Sequence, residues 1–125
     1  MLTKRELIDY CLTFPGAYED YPFDEDAALP GAWAVMRHKV NHKSFALIFE
    51  RGGFVNVNLK CEPMYADLLR NVYPSVIPAY HMNKVHWNGI MIDGSIPNDE
   101  IFSWISQSYD LITPKRKNEQ IMNNT

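Results

Sequence analysis

The stretch Phe45-Ala46-Leu47-Ile48-Phe49-Glu50-Arg51-Gly52-Gly53-Phe54-Val55-Asn56-Val57-Asn58-Leu59-Lys60 decides the fold class. Its opening run, from Phe45 to Glu50, is near-continuous in apolar character, the pattern of a central strand. Arg51-Gly52-Gly53 supplies the backbone freedom of a tight hairpin turn. The return limb alternates, with Val55, Val57 and Leu59 on one side and Asn56, Asn58 and Lys60 on the other. A strict period of two means that one face of this limb meets a core while the other displays amides and an ammonium. The hairpin therefore predicts an antiparallel sheet with a greasy side and a polar side.

Working outward, residues 33–40 are rich in strand formers, and Val40-Asn41-His42-Lys43 forms a polar turn into Phe45. Upstream, Thr3-Lys4-Arg5-Glu6 matches a capping box, and Leu7, Ile8, Cys11 and Leu12 then share one helical face. Pro15 drives Phe14 out of the helical region and ends that helix. Residues 17–30 are expected to form a loop with an acidic knot, pinned to the domain by Tyr18, Tyr21 and Phe23. Downstream, Pro63 suits the first position of a second helix whose apolar face is Met64, Tyr65, Leu68, Leu69 and Val72, with Pro74 as its stop. Ile90-Met91-Ile92 predicts a short strand closed by Asp93-Gly94. Pro97 opens a last helix with Asn98, Asp99 and Glu100 at its positive end and Ile101, Trp104, Ile105, Ser108 and Leu111 or Ile112 as its buried stripe. The order α-β-β-β-α-β-α predicts an α+β fold: a mainly antiparallel sheet with helices packed on one face. One domain over residues 1–115 and a polar, flexible tail over 116–125 are expected.

The bulk numbers fit this picture. The 125 residues are 46% hydrophobic and 22% charged, enough to bury a core and too apolar for global disorder. No run reaches the ~18 apolar residues of a membrane span, and Met1-Leu2-Thr3-Lys4-Arg5-Glu6 lacks the apolar stretch of a signal peptide. The expected setting is the cytoplasm, with no membrane partner. Cys11 and Cys61 stand far apart and outside any metal or redox spacing, so both are read as structural thiols. The net charge of -3 argues against a strongly basic nucleic-acid binder. The charge is uneven, however: residues 1–30 hold seven carboxylates against Lys4 and Arg5, leaving the remainder weakly cationic.

Chemistry-bearing patterns are sparse. No serine lies in a GxSxG elbow, and Gly52-Gly53 lacks the lysine and helix start of a phosphate loop. His81 and His86 are five apart, wrong for one helical face. Asp20, Asp24, Glu25 and Asp26 lack the glycine and terminal glutamate of a calcium loop and read as a solvated acidic segment. No enzyme activity, metal or cofactor is expected. The unusual segment is Tyr80-His81-Met82-Asn83-Lys84-Val85-His86-Trp87-Asn88, which follows neither helical nor strand periodicity. Such a crowd of polar groups is costly if buried without partners.

Pro15-Gly16 with Glu19 and Pro22-Phe23, Leu59-Lys60-Cys61-Glu62-Pro63, the string Tyr80-His81-Met82-Asn83-Lys84 with His86-Trp87-Asn88, and Ser108-Tyr109-Asp110-Leu111 together resemble the MmcQ/YjbR family over residues 3–115. The resemblance implies a fold similar to the bacterial frataxin CyaY and a bacterial, non-enzymatic, DNA-binding "double wing" role. Glu62 stands where an aspartate helix cap is expected in such proteins, which weakens that cap. The leading expectation is then a protein contacting double-stranded DNA phosphates through a local basic and histidine-bearing surface. Its candidate contacts are Arg37, Lys39, Lys43, Lys60, Tyr80, His81, Asn83, Lys84, His86, Trp87 and Asn88. The alternative is a protein-interaction or small-ligand module using residues 80–88 as a pocket wall; under either reading a monomer is the favoured state. A third reading makes the same segment a hydrogen-bonded lock for the last strand.

Overall fold

The computed structural model describes residues 1–24 and 31–115. The acidic residues Glu25 and Asp26 and the expected tail over 116–125 lie outside these described residues. The chain runs α1 (Lys4–Leu12), β1 (Ala17–Asp20), β2 (Ala34–His38), β3 (Ser44–Arg51), β4 (Phe54–Lys60), α2 (Pro63–Val72), β5 (Val76–Pro78), β6 (Trp87–Met91) and α3 (Asn98–Ile112). Six strands form one sheet in the order β1-β2-β3-β4-β6-β5, and every neighbouring pair is antiparallel. The predicted α+β architecture is the observed one, with two additions at the edges. Ala17–Asp20, expected as loop, pairs with β2, and the three-residue β5 pairs with β6. β1 escaped periodicity because all four of its side chains are half-buried, and β5 because it ends in Pro78, which offers no amide hydrogen.

The hairpin that decides the fold forms as read. Ala46 to Arg51 pair with Leu59 to Phe54, and Val57 and Leu59 enter the core beside Ala46 and Ile48. The β2–β3 register slips between Met36 and Arg37, so Phe45 is skipped and joins the helix-side core. That core is completed by Leu7, Ile8 and Cys11 of α1 and Ile101, Trp104, Ile105, Tyr109 and Ile112 of α3. The α1 capping box is present in full, with Thr3 and Glu6 each accepting the other's backbone N–H. Leu12, by contrast, faces out, and Leu111 yields to Ile112 as the last buried residue of α3.

Helix α2 departs from its expected orientation. Ala66 and Leu69 are its buried residues, whereas Met64, Leu68 and Val72 are exposed. The small Ala66 lets the helix approach the β5–β6 end of the sheet. Its N-cap, Glu62, makes no side-chain bond, as its chemistry predicts.

Cys11 is fully buried, and burial pushes its thiol up to about 12. The half-buried Cys61 thiol is likewise raised, by burial and then by Glu62. Neither is an activated thiol. At the β6–α3 turn, Asp93 accepts Ser75 Oγ–H at 2.6 Å and Ser95 N–H at 2.9 Å, which holds its carboxyl down at about 2. Among the described residues no helix is long and apolar enough to cross a membrane.

Candidate functional site

All three helices leave one face of the sheet uncovered, and that face is not the polar surface the alternation of β4 predicts. Val35, Leu47, Ala79 and Trp87 form a second, smaller apolar cluster there, with Trp33 and Met82 packed against it. Asn58, expected to face water, is 1% exposed and donates from Nδ2 to the Tyr80 carbonyl at 3.1 Å. The reason is that the chain between β5 and β6 folds back over the sheet. Gly89 permits this: a Cβ there would stand 3.5 Å from Ala79 Cα and 3.1 Å from Asn58 Oδ1.

The fold-back is fixed by a polar network centred on Arg70 of α2. Its Nε donates to Asn88 Oδ1 at 2.6 Å, and its Nη2 donates to the carbonyls of Lys84 and Trp87. Asn88 in turn donates to the Ala66 carbonyl at 3.1 Å. Asn83 accepts from Val85 N–H at 2.9 Å, Lys84 Nζ donates to the Ala79 carbonyl at 3.2 Å, and Cys61 N–H bonds the His86 carbonyl at 2.8 Å. The energetic cost of burying Asn88 is thereby offset on every side.

These contacts correct part of the expected contact set. Trp87 is 8% exposed and belongs to the second apolar cluster, and Asn88 is 2% exposed and belongs to the lock. Neither side chain is a surface group. Asn83 and Lys84 turn onto their own loop. Arg37 is committed too, with Nε on Asp20 Oδ2 at 2.8 Å and Nη1 on the His42 carbonyl at 3.0 Å. Lys39 and Lys43 are exposed at the β2–β3 turn with His42, while Lys60 is half-buried opposite Trp87. Tyr80, His81, Asn83, Lys84 and His86 are all exposed. Strands β3 and β4 separate the β2 residues from β6, a span of roughly 14 Å at ordinary strand spacing. The expected contacts thus fall into a hairpin tip and a separate loop.

What the fold-back builds instead is a groove of about 590 Å³. Phe23, Trp33, Leu47, Tyr80 and Met82 give it apolar walls, and Asp24 and His81 are its ionisable lining groups among the described residues. Trp33 lies flat on Phe49, with centroids 3.9 Å apart and planes inclined by 3°. Phe23 stands at 87° to Trp33 at 6.3 Å, and Tyr80 at 40° and 6.4 Å. The Arg51 guanidinium sits 3.8 Å from the Tyr80 centroid. Asp24 Oδ2 accepts the Trp33 backbone N–H at 3.0 Å. His81 occupies left-handed backbone space, φ 62°, and its ring lies 3.9 Å from that of Tyr80. His42 at the β2–β3 turn shares this backbone conformation, φ 58°, which is uncommon for a non-glycine residue.

The alternative reading of residues 80–88 as a pocket wall includes Tyr80, His81 and Met82, but sequence reading missed Trp33, Leu47 and Asp24 as its other walls and Arg70 as its organiser. One signal was available: Trp33, Val35 and Arg37 share parity, so Trp33 had to stand on the face opposite Ala34 and Met36. Nothing in the sequence ties Arg70 to residues 84–88.

Comparison with known proteins agrees with this fold. A family profile described as YjbR matches residues 12–111. The uncharacterized protein YjbR of Escherichia coli K12 is 34% identical over 108 residues, covering 86% of this chain and 85% of that one. The uncharacterized protein YyaQ of Bacillus subtilis is 33% identical over 121 residues, covering 89% of this chain and 98% of that one. A solved Deinococcus radiodurans structure superposes with a TM-score of 0.80 at 28% identity, covering 98% of this chain and 88% of that one. A Pseudomonas syringae crystal structure gives 0.76 at 30% identity, covering 90% and 100%. With a profile spanning most of its length and relatives 33–34% identical over more than four fifths of it, the chain belongs to the YjbR family.

Proposed function

We propose that this chain is a non-catalytic binding module whose ligand seats in the groove on the open sheet face. The observation that carries this reading is the wall itself: a loop rich in polar residues is locked in place by Arg70 and Asn88 so that Tyr80, His81 and Met82 face an apolar hollow. A pre-formed, mainly apolar cavity with a few polar groups is the ordinary form of a small-molecule site. A fragment library screened by NMR tests this. Shifts concentrated at Trp33, Tyr80 and Met82, and abolished in Trp33→Leu, are expected. Hits scattered over the surface, or indifferent to Trp33→Leu, overturn it.

A second reading, contact with duplex DNA, rests on the hairpin tip, where Lys39, His42 and Lys43 are all exposed. It is the role that the family resemblance implies. Anisotropy of a labelled duplex at 50 and 200 mM salt decides it. Under this reading Lys39→Ala with Lys43→Ala lowers the salt slope by about two phosphate contacts. Absence of binding at low salt removes it.

A further inference from the structure

We propose that the groove selects organic cations: alkyl- or arylammonium groups carried on an apolar body. This rests on the reading of the groove as a ligand site and specifies what that site takes. Phe23, Trp33 and Tyr80 border one hollow at mutual inclinations of 87° and 40°. Phe23 and Trp33 meet edge to face, Trp33 gives one face to Phe49 and Tyr80 gives one to Arg51, so the hollow meets only the aromatic surface that remains, whose ring faces carry the negative part of the quadrupole. Several such rings around one space are the usual chemistry for holding an ammonium. Tyr80 already holds one cation, the Arg51 guanidinium at 3.8 Å.

Charge points the same way. Asp24 is the one carboxylate in the lining, and no lysine or arginine lines the groove among the described residues. The Trp33 backbone N–H holds that carboxylate at the groove, 3.0 Å from Oδ2. Arg51, the nearest arginine to Tyr80, is outside the lining, and Arg37 is neutralised by Asp20 at 2.8 Å. An anion would find one imidazole, His81, and a repelling carboxylate. A neutral ligand would lack the charge attraction to Asp24. At about 590 Å³ the hollow exceeds an ammonium head, leaving Leu47 and Met82 to cover an attached hydrocarbon.

The test uses the full chain and a matched pair of probes, choline and 3,3-dimethylbutan-1-ol, which share shape and differ in charge. Benzyltrimethylammonium and benzenesulfonate form a second pair of opposite sign. Titration by NMR is expected to show each cation binding about five- to tenfold more tightly than its partner. Asp24→Asn keeps an acceptor for the Trp33 amide while removing the charge, and is expected to erase most of that preference. Trp33→Leu is expected to abolish the measurable binding of both cations. If neutral and charged probes bind equally and Trp33→Leu weakens both, cation selection is overturned while the groove remains a ligand site. If no probe shifts groove residues at all, the groove reading falls with it.

Discussion

The two faces of this sheet are closed by different means. On one, α1 and α3 lay down aliphatic and aromatic side chains, and the core they share with β3 and β4 is sealed by residues such as Phe45, Ile48 and Ile105, each 0% exposed. On the other, the cover is a single loop held from behind by a guanidinium, and its aromatic residues stay partly open. Helices close a face by area, and the closure is complete. A hydrogen-bonded loop closes only what it reaches and leaves a hollow at its margin. The difference separates a sealed surface from one that keeps a hollow.

The sharpest way to break this contrast is a pair of neighbouring substitutions on β3. Ile48→Ala, on the helix side, is expected to cost about 3–4 kcal/mol, and Leu47→Ala, on the groove side, about half as much, because its site already opens toward solvent. Urea denaturation measures both, and equal losses would mean that the open face is as tightly packed as the other. Next in size is the lock. Arg70→Ala strands the buried Asn88 Oδ1, so a loss of about 2 kcal/mol is expected together with faster amide exchange across residues 79–88. Unchanged exchange would show that the apolar contacts of Trp87 and Met82 hold the loop without help.

Trp33→Leu forfeits a stacked pair with Phe49 and is expected to cost only about 1 kcal/mol while abolishing groove binding. A much larger loss would make Trp33 a core residue of the sheet. Smallest is a pH effect at the β6–α3 turn. The Asp93 carboxyl is held at about 2, chiefly by Ser75, below its ordinary 3.8. Its contribution is therefore complete above the unfolded value and fades as pH falls from about 4 toward 2. Asp93→Asn should flatten the stability profile in that window alone, read by thermal melts at stepped pH.

The helix-covered face was legible in the sequence, and the other was not. Local periodicity is enough to place Leu7, Ile8 and Cys11, or Val57 and Leu59, because burial there follows from repeats of 3.6 and 2. The same rule misplaced Met64, Leu68 and Val72, since an apolar stripe on α2 does not reveal that the small Ala66 sets the contact. It also misplaced Asn58, and it does not reach Asn88, in a segment that follows neither period. Their burial is decided by Tyr80 and Arg70, partners 22 and 18 residues away. The segment over residues 80–88 was recognisable as exceptional, but its division of labour was not. Asn88 and Trp87 serve the lock, while Tyr80 and His81 face the hollow, and only tertiary contacts separate these roles.

The shortness of the two outermost strands has a bearing on how the protein behaves when crowded. β1 is four residues long and carries Glu19 and Asp20, and β5 is three residues long and finishes on Pro78. Neither border presents the long, uncharged row of free amides and carbonyls on which a strand from another copy could template itself. Sheet-to-sheet fusion into fibrous polymers is discouraged at both margins, so concentrated preparations should resist that route of aggregation.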